Sequence, residues 1–456
     1  MKITLGRVAE LTHGSGDFDP AALVHGYSID TRTLVPGQLF LAIRGERLDG
    51  HDFVAQALKA GAVGAVVSRQ GLVRFDSQRD LIAVEDTTIA LQTLGAAIRR
   101  LWGKRLVGIT GSTGKTTTKE CIAHVLASGM KVLKSVGNLN NHWGMPMQLL
   151  RLTPDDDIAV IELGMSHAGE IAALAALAAP DMGVVTNVAP VHLEFFDSVA
   201  SIARAKYELI ESLPQGGVAV LNADDEYVAQ FGRDFHGKVV LYGVEKPADY
   251  RAENIVASGF TGQAFDVVGL DFRHPAVLPL LGRHNVLNAL AAVAVAVECG
   301  IPHPEAVHAL ATVAPADKRG EILSLGGATI INDCYNSNPK ALKAMTETLT
   351  ALPGKRHIAV AGEMLELGAE GPALHLECGH YMAEKGVDVV LGVRGLAEQI
   401  VEGARSGNVA AEFVATPEDA GEWLAANLRP GDVALLKASR GVRLERALEV
   451  LHARRG

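Results

Sequence analysis

The run Ile109-Thr110-Gly111-Ser112-Thr113-Gly114-Lys115-Thr116-Thr117-Thr118 places glycines, a lysine and a string of hydroxyls between an apolar stretch and a helical pattern. The apolar stretch is Leu106-Val107-Gly108-Ile109, and the helical pattern is Glu120-Cys121-Ile122-Ala123-His124-Val125-Leu126. Strand, glycine-rich loop and helix in that order form a phosphate cradle. Amide N–H groups of Gly111, Ser112, Thr113 and Gly114 can wrap phosphates, and the helix offers its positive N-terminal end to the same anion. Lys115 supplies a charge, and the Thr116 hydroxyl, followed by Thr117, suits Mg²⁺. The general pattern wants a glycine where this chain has Ile109; its glycines fall at 108 and 111. A plain glycine-rich turn would account for neither the lysine nor the flanking strand and helix, so a nucleoside triphosphate site is the stronger reading.

A phosphate loop alone does not separate a motor, a switch and a ligase. Ligands of open α/β sheets sit at the carboxyl ends of strands, so polar residues there decide. Glu162 follows the apolar run Ile158–Ile161 and can hold Mg²⁺ or order its water shell, the alternative being a capping or surface glutamate. His192, in the stretch Asn187 to Glu194 after the next strand, can bind a second metal or touch phosphates, or serve only to orient its neighbours. Lys206 by itself reads as an exposed helix lysine. Asn138 and Asn141 lie in a turn-prone stretch whose amides suit a sugar, phosphate or peptide group. Asn285 either reads a base edge or caps an alanine-rich helix. Asp333 ends a further strand, and Tyr335-Asn336-Ser337-Asn338-Pro339 leads from it into a helix. So many polar groups together exceed the needs of a turn.

The elements that must position these groups alternate along the chain. Strands are expected at 64–67, 81–84, 158–161, 183–186, 218–221, 329–332, 357–360, 388–391 and 433–436. Helices are expected at 171–178 and 199–212 and from starts near Pro339, Pro372, Pro417 and Val442. This alternation predicts an α/β protein with parallel sheets covered on both faces. Breaks near Leu101–Arg105 and Val313–Gly320 divide 456 residues into three blocks, 1–100, 101–314 and 315–456. Four scattered cysteines make no metal spacing and need no disulfide framework, which fits a reducing cytoplasm. A formal net charge of −10 argues against a dedicated nucleic-acid binder. There is no apolar run long enough to span a bilayer, and the first residues lack the apolar core of a secretory signal.

The motifs Thr110–Thr117, Glu162-Leu163-Gly164, His192-Leu193-Glu194, Gly282-Arg283-His284-Asn285 and Asp333–Pro339 stand in the order seen in Mur ligases, and the chain resembles that family over essentially its whole length. Asp30-Thr31-Arg32 through Asp49–Phe53 resembles the family's N-terminal UDP-sugar domain. Gly362-Glu363-Met364-Leu365-Glu366-Leu367-Gly368 resembles another family stretch, with Glu in place of Asp at 363. The family's own loop pattern, Thr-Gly-x-x-Gly-Lys-Thr, accounts for the glycine spacing. Lys437-Ala438-Ser439-Arg440 departs from the commoner Lys-Gly-Ser-Arg, and Ala438 removes freedom for positive φ.

The resemblance implies a central phosphate-loop parallel sheet flanked by an N-terminal α/β UDP-binding domain and a C-terminal Rossmann-like domain. It further implies a cytoplasmic, monomeric ATP- and Mg²⁺-dependent ligase that joins D-alanyl-D-alanine to UDP-N-acetylmuramoyl-tripeptide in peptidoglycan precursor synthesis. On the same footing, Gly111 to Thr117, Asn285, Arg319 and Asp333 would contact ATP. Thr116 and Glu162 would serve a first Mg²⁺, and His192 with Lys206, carbamylated in relatives, a second. Lys115, Glu162, His192 and Lys206 form the implied catalytic set. Ser28, Thr31, Arg32 and His51 are candidates for the UDP-sugar end, and Asn138, Asn141, Asn336 and Asn338 for the peptide substrates. Two rivals are a ligase adding the preceding amino acid and a nucleotide-dependent switch. The Tyr335–Pro339 stretch weighs against the first; the second would release phosphate without regard to acceptor.

Overall fold

A computed structural model of the chain describes residues 1–75 and 78–455. Three sheets organise it. Gly26–Ser28, Gln38–Leu41, Gly64–Ser68 and Leu81–Val84 pair in parallel in that order. From the last of these the chain enters the helix Thr87–Trp102, which carries it across position 100 into the central sheet. Asp86 caps this helix by accepting from the Thr88 and Ile89 amides, and Gly103 ends it at φ 65°.

The central sheet has nine strands. Val132–Lys134, Ile158–Glu162, Arg105–Thr110, Met182–Val185, Val218–Asn222 and Lys238–Gly243 lie side by side and parallel. Their runs are almost wholly apolar because helices cover both faces. The sheet then continues through Tyr250–Ala257 into the antiparallel strands Gln263–Val268 and Arg273–Leu278, an extension absent from the sequence expectation. Gln263–Val268 alternates buried and half-buried residues, the pattern of a ribbon with one wet face rather than of a doubly covered strand.

The third sheet runs Glu321–Leu325, Ala328–Asp333, Asp432–Lys437, Arg356–Gly362, Val389–Val393 and Ala410–Val414. Only the first of these is antiparallel to its neighbour. The expected strands and helices appear here within a few residues. The last helix, expected near Val442, begins at Glu445 after a single 3₁₀ turn, because Arg443 adopts φ 59° and interrupts helical geometry.

Core packing divides the molecule differently from its sheets. One continuous apolar cluster includes Leu5, Leu39 and Ile82 of the first sheet region, Leu91, Leu94 and Ile98 of the helix Thr87–Trp102, and Leu149, Ile171 and Leu209 of the central region. A second cluster fills the other face of the central sheet around the helix Arg283–Glu298, where Ala289 to Ala296 are fully buried. Alanine lets that helix approach the phosphate-loop helix Lys115–Leu126 closely. The C-terminal sheet has its own clusters on its two faces.

Polar clamps reinforce the first junction. Arg99 donates to the Ala178 and Ala179 carbonyls at 2.8 and 2.9 Å and to Asp181 at 3.0 Å. Trp102 Nε1 donates to the Asp156 carbonyl at 3.2 Å. Arg99→Ala should lower unfolding free energy by about 2–3 kcal/mol, since it strips partners from a buried carbonyl and a carboxylate. Urea denaturation checks this, and an unchanged midpoint would exclude a clamp role.

Candidate active site

The carboxyl ends of the central and C-terminal strands face one cavity of about 920 Å³. Thr110, Glu162, Val185 and Asn222 end central strands; Asp333 and Lys437 end C-terminal ones. The phosphate loop forms its floor. Gly111 sits at φ 149°, where an added Cβ would lie 1.9 Å from Thr186 Oγ1, so glycine is required there. The loop is held from the neighbouring strand end. Thr113 donates from its amide and its hydroxyl to Asn187 Oδ1 at 3.0 and 3.1 Å, and Thr186 Oγ1 donates to the Thr113 carbonyl at 2.6 Å. Ser112 N donates to the Asn187 carbonyl at 2.9 Å. These contacts fix the loop before any anion arrives.

Glu162 is buried, and two neighbours bracket its carboxylate. Thr116 Oγ1 donates to one oxygen at 2.8 Å and Asn140 Nδ2 to the other at 2.9 Å. Lys115 Nζ donates to the Gly111 carbonyl at 2.7 Å. Burial pulls the Lys115 ammonium below the ordinary lysine range, Glu162 opposes this, and Arg319 adds to it. Lys206 is 2 % exposed. Burial, with the Lys115 charge as a second cause, pushes its amine well below the usual lysine value. Among the described residues Lys206 has no ion pair. The exposed helix lysine suggested by its local sequence is therefore corrected: the helix Val199–Glu211 turns that face into the core.

His192 lines the cavity at φ 55°, a left-handed conformation uncommon for histidine. Its Nδ1 stands 2.5 Å from Glu366 Oε2, off the line of a hydrogen bond. That contact lowers the Glu366 carboxyl against the opposing effect of burial. Lys340 Nζ, at the start of the helix Pro339–Ala351, reaches Asp225 Oδ2 at 3.2 Å. Both contacts tie the C-terminal wall to the central one.

On that wall, Lys437 Nζ is 2.5 Å from Asp333 Oδ2 and 2.9 Å from the Asn336 carbonyl. The Arg319 guanidinium lies 4.1 Å from the Tyr335 ring centre. Ala438 is fully buried without positive φ, so the missing glycine costs no backbone strain. Asn285 does not cap its helix. Its Nδ2 donates to the Leu281 carbonyl, and its Oδ1 begins a chain through Asn288 to Thr118 on the phosphate-loop helix.

The cavity thus gathers Ser112 to Thr117, Asn138, Asn141, Glu162, His192, Asn285, Arg319, Asp333, Asn336 and Asn338. Asn141 and Asn338 hold local structure with their side chains. Asn141 Oδ1 accepts from Gly144 N at 2.8 Å, and Asn338 caps Pro339–Ala351 by accepting from Ala341 N at 3.0 Å. Ser28, Thr31, Arg32 and His51 do not line the cavity. Ser28 Oγ and the Asp30 backbone bond to each other, and Arg32 pairs with Asp30. His51 uses both ring nitrogens internally, Nδ1 on Asp49 at 2.6 Å and Nε2 accepting from Ser68 N at 2.9 Å. It shapes a turn and has no nitrogen left for a ligand.

Sequence reasoning missed Asn140, Asn187, His284 and Asn288 as site residues and gave Lys437 no role. Asn187 and Lys437 sit at or just beyond strand ends, so the rule that found Glu162 reaches them too. His284 and Asn140 carry no comparable signal.

Comparison with known proteins follows the same architecture. The family models described as Mur ligase family, catalytic domain, Mur ligase middle domain and Mur ligase, glutamate ligase domain match residues 23–105, 109–296 and 318–440. A Bacillus subtilis protein named UDP-N-acetylmuramoyl-tripeptide--D-alanyl-D-alanine ligase is 36% identical over 99% of this chain and 98% of its own. An Escherichia coli protein of the same name is 37% identical over 86% of each chain. The crystal structure of MurF from Acinetobacter baumannii superposes with a TM-score of 0.91 at 30% identity, covering 99% of both chains. A Thermotoga maritima MurF ligase in complex with ADP gives 0.83 at 29% identity, covering 94% of this chain and 97% of that one.

His284 in the cavity wall supplies a pH test. Burial pushes its imidazole down to about 4 from 6.5, against the pull of Asp333. The unfolded chain therefore takes up this proton first as pH falls, and stability is lost between about 6.5 and 4. His284→Gln should flatten that part of the stability–pH profile in denaturant titrations. An unaltered slope would contradict an imidazole held neutral in the cavity wall.

Proposed function

The chain belongs to the Mur ligase family, and from that premise we propose that it joins D-alanyl-D-alanine to UDP-N-acetylmuramoyl-tripeptide, converting ATP to ADP and phosphate. The observation that carries this reading is the single cavity in which a phosphate loop faces the Asp333–Lys437 wall of a second sheet. A switch needs the loop; it does not need that opposing wall. The names of the relatives, one of them solved with ADP, support the same reaction.

A carboxylate resists attack by an amine. Transfer of the γ-phosphoryl group to the tripeptide carboxylate makes an acyl phosphate, and the D-alanyl-D-alanine amine then attacks its carbonyl and expels phosphate. In this scheme the amides of Gly111 and Gly114 hold the phosphates, those of Ser112 and Thr113 keep the loop in shape through Asn187, and Lys115 leaves the Gly111 carbonyl to meet the anion. Arg319, Asn285 and Asp333 hold the nucleotide. Asn138 and Asn336 are placed for the peptides; Asn141 and Asn338 keep the turn and helix start that present them. Ser28, Thr31 and Arg32 take the UDP-sugar end, with His51 shaping the turn behind them. Packing of the C-terminal wall over the loop excludes water from the acyl phosphate.

The donor set fits Mg²⁺. A hydroxyl and a carboxylate, Thr116 and Glu162, converge within 2.8 Å beside the loop. Among the described residues there is no group of three or more His, Cys, Asp or Glu able to hold a metal alone. A hard cation that keeps waters and shares phosphate oxygens is what so sparse a site accepts. Bound there, Mg²⁺ neutralises phosphate charge during transfer. Lys206 has the character needed for carbamylation, a buried amine whose neutral form is favoured; addition of CO₂ with loss of a proton would make it an anion, which with His192 would serve a second Mg²⁺.

We further assign the domains to 1–100, 101–314 and 315–456, and read the enzyme as a cytoplasmic monomer. No described helix is long and apolar enough to cross a membrane. Mass spectrometry of the product formed from ATP, D-alanyl-D-alanine and UDP-muramoyl-tripeptide tests the reaction; absence of the pentapeptide product would reject it.

Lys115→Ala should reduce phosphate release and amide formation by at least about 10²–10³-fold while the thermal unfolding curve stays cooperative. Normal turnover in that folded variant would remove the loop from the mechanism. Lys206→Ala should be impaired yet partly restored by short carboxylic acids, which replace the carbamate oxygens. Full activity without additive would rule the carbamate out.

A further inference from the structure

One buried cation has no part in the chemistry above. Lys119 lies one turn beyond Lys115 on the helix Lys115–Leu126 and is 1 % exposed, pointing away from the cavity. Its ammonium donates to the Ser135 carbonyl at 2.7 Å and pairs with Glu120 Oε1 at 2.9 Å; Glu120 also pairs with Lys134. Ser135 directly follows the short strand Val132–Lys134 and is itself buried. Its Oγ accepts from the Glu162 amide at 2.9 Å, and its own amide donates to the Val160 carbonyl at 3.0 Å. Beyond Ser135 the chain reaches Asn140, whose side chain holds Glu162 Oε1 and whose carbonyl accepts from Gly164 N at 2.9 Å. The segment 135–140 therefore grips the Glu162 strand end from both sides. Lys119 anchors its near end to the phosphate-loop helix.

We propose that Lys119 is a positioning residue for the metal-binding carboxylate: through Ser135 it fixes Glu162 relative to Thr116, the other oxygen donor of the Mg²⁺ site. Lys119 and Thr116 share one rigid helix, so an ammonium bond from that helix to Ser135 sets the spacing between the two donors. A buried charge is an unusual means of filling space. A methionine of similar length would fill the volume but leave the Ser135 carbonyl without its donor. The ammonium contributes direction instead: it orients the Ser135 peptide, and with it the hydroxyl that receives the Glu162 amide. Partners behind a metal ligand typically change metal affinity 10–100-fold when lost.

The inference rests on the Mg²⁺ reading above, and its test separates the two. ADP binding to the full chain is followed by calorimetry, in EDTA and across a Mg²⁺ titration. Lys119→Met should leave affinity in EDTA unchanged and raise the half-maximal Mg²⁺ concentration about tenfold. Ser135→Ala should give a similar shift, and the double variant no more than either alone, because both act through one path. An unmoved Mg²⁺ midpoint in folded Lys119→Met overturns the proposal, as does full additivity in the double variant. If Lys119→Met does not fold, Lys119→Arg, which keeps but displaces the charge, should shift the midpoint; no shift overturns the proposal equally. A wild-type chain whose ADP affinity ignores Mg²⁺ would overturn the metal reading and this inference together.

Discussion

Lys206 is buried and Lys115 half-buried, close enough that the Lys115 charge suppresses that of Lys206, and Glu162 is the carboxylate that favours the Lys115 cation. Such an arrangement is poorly balanced in isolation. Its sense lies in the proposed function: phosphates bound at Lys115 and the loop would offset the cations. The surroundings keep the pocket rigid while it waits. Thr186 and Asn187 hold the loop from one side, Thr116 and Asn140 bracket Glu162 from the other, and Gly111 allows the close approach that a Cβ would forbid.

That pocket is built from elements of unequal attachment. The first sheet region and the central sheet share a continuous apolar cluster, reinforced by Arg99 and Trp102, so they pack as one body. The C-terminal sheet buries its own clusters. It meets the central region through Leu281 and Phe260 and through polar contacts such as His192–Glu366 and Lys340–Asp225. Reacting groups are thereby divided between a fixed half, which holds the phosphate loop, and a separately folded half, which carries Asp333 and Lys437.

Much of this was readable beforehand, for definite reasons. Apolar runs such as Ile158–Ile161 are doubly covered strands, and proline at 339 and 417 marks first helical turns, so these elements appear where periodicity puts them. Glu162 was found because a carboxylate at a strand end beside a phosphate loop has few other uses. Lys206 entered only through the family resemblance, since nothing in Ile202 to Glu208 says which helix face turns inward. The ribbon 250–278 escaped because alternating strands with one wet face lack apolar runs. His51 looked like a ligand contact by type, yet its partners Asp49 and Ser68 consume it, and only folding reveals that.

The seam between the two halves has a thermodynamic character of its own. Beyond Leu281 and Phe260 its contacts include His192–Glu366 and Lys340–Asp225, each with one exposed member. Heat-capacity change tracks apolar surface transferred to water, with polar surface contributing in the opposite sense. Opening this seam would exchange its polar contacts for hydrated ones. The charged part of the seam is thus the part that added salt weakens, while the Leu281 and Phe260 contacts are untouched by screening.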